Sequence, residues 1–254
     1  MRGRDRMSGR AGGGARRDSW VAMAATVLAT AFVIALVIRT VLFEAFTIPS
    51  GSMKPTLLVG DFVFVSKYRY GFTHYSLPLS PQWFSGRLFS REPERGDVVV
   101  FRLPSDDTVD YIKRVIGLPG DRIKVVDGLV FINGRAVRRE RLADFADDED
   151  GAPVNVRRWR ETLPNGVSYE TLGAQDHGPY ENTDEYRVPA GHFFMMGDNR
   201  DNSEDSRVLS AVGYVPFQNL VGRAEVVFFS VAGGERPSSQ PQAVRWGRLF
   251  TLVR

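Results

Sequence analysis

The chain has 254 residues, 43% hydrophobic and 25% charged, which suffices for one core of roughly 200 residues or that core with a small insert. This composition excludes disorder, collagen-like repetition and coiled coil, and the absence of cysteine excludes disulfides, a thiolate nucleophile and Cys-ligated zinc. The net charge of +3 belongs to a tail rather than to a nucleic-acid-binding face: residues 1–18 carry six Arg and two Asp, and the remainder holds 27 basic against 28 acidic residues.

Residues 20–38 are 19 consecutive uncharged, mostly apolar side chains. As a helix they span roughly 28 Å, close to the ~30 Å hydrocarbon core of a bilayer. Six Arg ahead of the run and little positive charge just behind it place the N-terminus in the cytoplasm. A removed signal peptide and a buried core helix are the competing readings. The run, however, exceeds the ~7–15 apolar residues usual in a cleaved signal, and Phe43-Glu44-Ala45-Phe46 lacks a small-x-small cleavage site. The expectation is an Arg-rich cytoplasmic tail (1–19), a single retained transmembrane anchor (20–43) and an extracytoplasmic remainder.

From residue 44 onward the chain reads as mostly β. Strands are expected at 61–65, 97–102, 111–116, 122–126, 129–132, 192–196 and 225–231 from their β-branched and aromatic content. Asp127-Gly128 and Asn133-Gly134 are hairpin dipeptides. No helical periodicity of any length follows the anchor. Residues 136–186 read as a polar, irregular insert with a solvated acidic cluster at 144–150. Residues 233–242 read as a Gly/Pro/Ser/Gln-rich mobile tail, and the basic-aromatic stretch 245–250 as either a membrane-surface contact or a docked terminus.

Three segments carry chemistry. The first, Pro49-Ser50-Gly51-Ser52-Met53-Lys54-Pro55, forces an irregular turn that can present a hydroxyl. A serine nucleophile needs a base, and His74, His177 and His192 all lack a compelling local context. A lysine can serve if its pKa falls by about 3 units, a cost near 4 kcal/mol of desolvation and like-charge effects. The chain offers only Lys54, Lys67, Lys113 and Lys124. Lys54 adjoins Pro55, which makes its burial doubtful; Lys67 ends a strand and Lys124 lies in a hairpin. Lys113, inside Tyr111-Ile112-Lys113-Arg114-Val115-Ile116, is the best placed for desolvation, with Arg114 on the opposite face as support, although a strand lysine snorkelling to solvent is the plainer alternative. The third segment runs from Gly197-Asp198-Asn199 through Ser203 and Asp205 to Arg207. It fails the EF-hand template, since Arg200 and Ser203 occupy positions 3 and 6, and it suits either orienting an amine or a surface turn.

Taken in order, an anchor, PSGSMKPTL, GDVVVF, DYIKRVIGLPGD and GDNRDNSEDSR resemble bacterial type I signal peptidases (leader peptidases) over roughly residues 46–231. The resemblance implies a membrane-anchored endopeptidase that removes signal peptides from exported preproteins after small-x-small sequences. It implies Ser52 as nucleophile, Lys113 as general base, and Ser50 with the Ser52 N–H as oxyanion hole. Ser203 would be bonded to the lysine, with Asp205, Arg207, Asp198 and Arg114 in support. Phe46, Ile48, Met53, Leu57, Tyr111 and Ile112 would form shallow apolar pockets. The implied fold is a β-sheet catalytic core (44–123 and 189–254) with an inserted subdomain (124–188). The implied partners are exported preproteins and the lipid of the inner membrane; no cofactor, metal, nucleic acid or obligate protein partner is expected. A self-cleaving cytosolic repressor with the same chemistry and an inactive tethered binding module are the rival readings.

Overall fold

The computed structural model describes residues 13–37, 42–76, 86–147, 154–173, 178, 180–232 and 244–254. Most of the Arg-rich tail, Ile38, His177, residues 148–150 of the acidic cluster and the 233–242 tail lie outside the described residues. The expected anchor falls on α1 (Gly13–Val37), which begins seven residues earlier than the apolar run. All described side chains of α1, residues 20–35, are exposed. Among the described residues no helix is long and apolar enough to cross a membrane.

Beyond α1 the described elements are strands and single 3-10 turns. Four strands come first: β1 (Phe43–Thr47), β2 (Asp61–Ser66), β3 (Val98–Leu103) and β4 (Asp106–Gly117). Nine follow: β5 (Arg122–Val126), β6 (Leu129–Ile132), β7 (Arg135–Ala136), β8 (Arg138–Arg141), β9 (Phe145–Asp147), β10 (Val154–Val156), β11 (Arg158–Thr162), β12 (Ser168–Leu172) and β13 (Tyr186–Arg187). The last four are β14 (His192–Met196), β15 (Val215–Pro216), β16 (Leu220–Ser230) and β17 (Thr251–Leu252).

The main sheet has the order β1-β2-β16-β3-β4-β14-β15, with β17 added to β16. Around β3 the sheet is buried on both faces, which explains the unbroken apolar run of that strand. Val98 and Val100 join Ile48, Met53, Leu57, Val63, Val65 and Val227 in one cluster, while Val99 and Phe101 join Val115, Phe193 and Met195 in another. Antiparallel pairing sets Lys113 opposite Val99 and Arg114 opposite Val98, so these neighbouring cations point to opposite faces of the sheet. β14 pairs with β4 only at Arg114–Gly117, so among the described strands residues 106–113 have β3 alone beside them.

The hairpins at 127–128 and 133–134 form as expected. Asp127, Gly128, Asn133 and Gly134 all have positive φ, the conformation that two-residue type I′ turns demand. The supposedly irregular stretch 136–186 instead contains a three-stranded sheet, β12-β11-β8, and the β9–β10 hairpin. Its strands escape a hydropathy reading because charge pairs stabilise them: Arg158 and Arg160 reach Glu170 across β11–β12, and Arg139 and Arg141 lie over the Trp159 ring.

Candidate active site

Ser52 sits on the 3-10 turn Gly51–Met53 that follows β1. Its backbone is held from the Gly-Asp-Asn loop. Asn199 donates its N–H to Ser52 O at 3.1 Å and its side-chain amide to Gly51 O at 3.1 Å. The approach requires Gly197, since a Cβ there would stand 2.2 Å from Ser203 Oγ and 2.6 Å from Ser52 O. Asn199 and Gly197 lie within the polar run singled out from sequence, but nothing local marked them as the clamp.

Lys113 is buried, and its Nζ donates to Ser52 Oγ at 2.8 Å and to Ile112 O at 3.1 Å. The Tyr111 ring centroid is 5.1 Å from the amine. Burial pulls the Lys113 pKa down from 10.5 to about 8, although the negative charges of Asp205 and Asp198 oppose the fall. Ser50 Oγ lies 3.4 Å from Ser52 Oγ at the exposed lip of the turn.

Ser203 does not bond to the lysine. Its hydroxyl donates to Asp205 Oδ2 at 2.8 Å, because that carboxylate also accepts the Gly197 N–H at 3.0 Å and pairs with Arg207 at 2.8 Å, gathering the loop around itself. Burial would raise the Asp205 pKa, yet Arg207 and these donors hold it below the usual carboxylate value. On the other face of β4, Arg114 is fully buried and bidentate to Asp198, at 2.8 and 2.6 Å. Thr56 Oγ1 donates to the same carboxylate at 2.5 Å, and the Tyr169 ring lies 4.1 Å from the guanidinium. Neither Thr56 nor Tyr169 carries a sequence signal for this role.

A groove of about 380 Å³ opens beside the pair, lined by Pro49, Ser50, Ser52, Tyr111, Ile112 and Lys113, with Asp110 and Glu204 also in its wall. Of the expected pocket residues, Tyr111 and Ile112 line it and Phe46, Ile48, Met53 and Leu57 do not. Ile48, Met53 and Leu57 are wholly buried because the turn folds inward: the Leu57 N–H bonds Met53 O at 2.9 Å and both side chains fill the core beneath. Lys54, whose burial the adjoining Pro55 put in doubt, is buried and bonds Asp147 at 2.8 and 2.9 Å.

A serine hydroxyl bonded to a buried amine, beside an open groove on a β-sheet core, is the equipment of a serine hydrolase. The chain matches the family described as signal peptidase, peptidase S26, over residues 20–229, and it belongs to that family. It is therefore a serine endopeptidase. It is 46% identical over 205 residues to a signal peptidase I of Rickettsia typhi, covering 78% of this chain and 76% of that protein. It is 47% identical, with the same coverage, to a signal peptidase I of Rickettsia prowazekii. A solved signal peptidase I from Enterococcus faecalis V583 is 25% identical, matching 52% of this chain and 97% of its own with a TM-score of 0.31.

Proposed function

We propose that this chain removes signal peptides from exported preproteins, with Ser52 as nucleophile and Lys113 as general base. The observation that carries the reading is the 2.8 Å contact between Ser52 Oγ and a buried amine whose pKa lies at about 8. Neutral Lys113 takes the Ser52 proton as Oγ attacks the scissile carbonyl. The oxyanion is met by the Ser52 N–H and the Ser50 hydroxyl. The ammonium then returns its proton to the leaving amine, and water, deprotonated by the same lysine, releases the acyl group from Ser52.

The preprotein adds as a strand along the β4 edge that β14 leaves open, next to the groove. Tyr111 and Ile112 form the walls that admit small residues at −1 and −3. Residues 44–123 and 189–254 act as the catalytic core, with 124–188 as an insert. The apolar run 20–38, which extends past the described end of α1, serves as a single anchor in the bacterial inner membrane, N-terminus in the cytoplasm. Support comes from its exposed Trp20, Leu28 and Phe32, which water would penalise and lipid would not. Trp246 and Phe250, 70% and 75% exposed near Arg245 and Arg248, suit a second contact with the lipid surface.

The deciding assay is cleavage of a labelled preprotein by the detergent-solubilised chain. Wild type should release the mature product and Ser52→Ala should not. Turnover by Ser52→Ala would end the assignment. For topology, the protein should resist alkaline extraction from membranes and keep an N-terminus ahead of Trp20.

A further inference from the structure

Two buried lysines flank the serine turn, and the chemistry above uses only one. The stem of Lys54 folds back under Gly51: a Cβ on that glycine would lie 3.1 Å from Lys54 Cε and 3.4 Å from Cδ. Its ammonium is gripped by both oxygens of Asp147, a residue 93 positions away at the end of β9. Among the described strands β9 pairs with β10 alone, and a two-stranded hairpin of three residues a side has little stability of its own. On the opposite side of the turn, Asn199 holds Gly51 O and Ser52 O. The turn is thus gripped from both sides, by an amide and by a lysine that is itself fixed at its far end. A buried ion pair is costly to desolvate and serves best where it fixes one arrangement of the backbone.

We infer that Lys54 is a positioning residue for the nucleophile, with Asp147 acting through it to hold the Gly51–Ser52 turn in its attacking geometry. The largest charges acting on the Lys113 amine are those of Asp205, Asp198, Arg207 and Glu204, and the inference assigns Lys54 to the backbone of the turn rather than to tuning of the base. The inference rests on Ser52 being the nucleophile.

The test measures kcat and KM separately between pH 6 and 10, on the full chain in detergent with a peptide bearing Ala at −3 and −1. Lys54→Met keeps the unbranched stem and deletes the ammonium; Asp147→Asn deletes the partner's charge at a hairpin that is partly open to solvent. Each should lower kcat by about 10- to 30-fold, leave KM within about twofold and leave the acid limb where wild type has it. The double variant should be no slower than Lys54→Met, the signature of two residues acting as one unit. Lys54→Arg, still able to pair with Asp147, should regain most of the loss. The inference is overturned if Lys54→Met keeps kcat within about twofold of wild type, if KM alone rises, if the acid limb moves, or if the two single losses multiply in the double variant. Should Lys54→Met fail to fold, Asp147→Asn decides by the same criteria. Failure of the underlying reading is distinguishable, because Ser52→Ala would then cleave as well as wild type; that result removes both.

Discussion

Lys113 and Arg114 are consecutive, equally hidden from water and ordinarily cationic, yet the two faces of β4 treat them in opposite ways. On the Ser52 face the amine meets a hydroxyl and a carbonyl, with no carboxylate among the described residues in hydrogen-bonding contact. Burial therefore prevails and its pKa falls to about 8. On the other face burial also acts against the Arg114 charge, but Asp198 answers it with two bonds and the pKa is raised. Burial alone does not make a base; burial with the counter-charge kept one shell away does. The guanidinium is held by Asp198, Gly96 O and the Tyr169 ring, so a permanent charge braces the strand that carries the removable one.

The comparison breaks most visibly if Lys113 is given its neighbour's chemistry. Lys113→Arg should lower kcat by about 10³- to 10⁴-fold, and raising the pH to 10 should not restore it, because guanidinium keeps its proton there. Appreciable turnover in a preprotein assay would show that another group takes the serine proton. The converse change, Arg114→Met, strands Asp198 in the core and should cost about 3–5 kcal/mol in chemical denaturation. Adding Asp198→Leu should recover most of that loss, since no buried charge then remains unpaired.

A subtler effect follows from the depressed lysine. Its folded pKa lies below its unfolded one, so folding expels a proton between about 8 and 10.5, and the stability penalty is full below 8 and relieved as pH rises toward 10.5. Lys113→Met should then be inactive but more stable than wild type by about 3 kcal/mol at pH 6–7, an advantage that shrinks above pH 8. Urea melts of the two proteins at pH 6.5 and 10 would measure it. Equal midpoints at pH 6.5 would mean that the amine is not under strain.

How much of this was legible depended on whether the cause was local. The Asp127-Gly128 and Asn133-Gly134 turns, the β3 run and the nomination of Lys113 rest on neighbours in sequence, and residues 111–116 predict the strand on which Lys113 stands. β16 starts at Leu220, five residues earlier than expected, and it contains Gly222, where Ser66 O of β2 lies 2.4 Å from the position a Cβ would take. β8, β11 and β12 were lost to polarity, their pairing being electrostatic and cross-strand. Lys54 was misjudged from its neighbour Pro55, since its partner lies at the far end of another hairpin. Met53 and Leu57 are pocket residues on the family resemblance alone, and their depth in the core beneath the turn is not written in the local sequence. The acidic cluster read as solvated contains, in Asp147, the partner of a buried lysine.

The smallest effect sharpens the comparison at its outer shell. Asp205 is the strongest opponent of the Lys113 shift, and its charge is spread over Arg207, the Gly197 N–H and the Ser203 hydroxyl. Deleting one donor with Ser203→Ala leaves more of that negative charge to favour the ammonium. The acid limb of kcat/KM should therefore move up by a few tenths of a unit, lowering activity near pH 7 about twofold while the plateau above pH 9 stays put. Asp205→Asn works in the opposite sense: with the opposing charge gone, the limb should move below its wild-type position, on a fold weakened by an unpaired Arg207. A pH–rate profile of both variants against wild type decides the matter. Opposite displacements mean that the loop acts on the amine through its field, whereas a lowered plateau in Ser203→Ala with no displacement means that Ser203 touches the amine during turnover and that its bond to Asp205 is broken on the way.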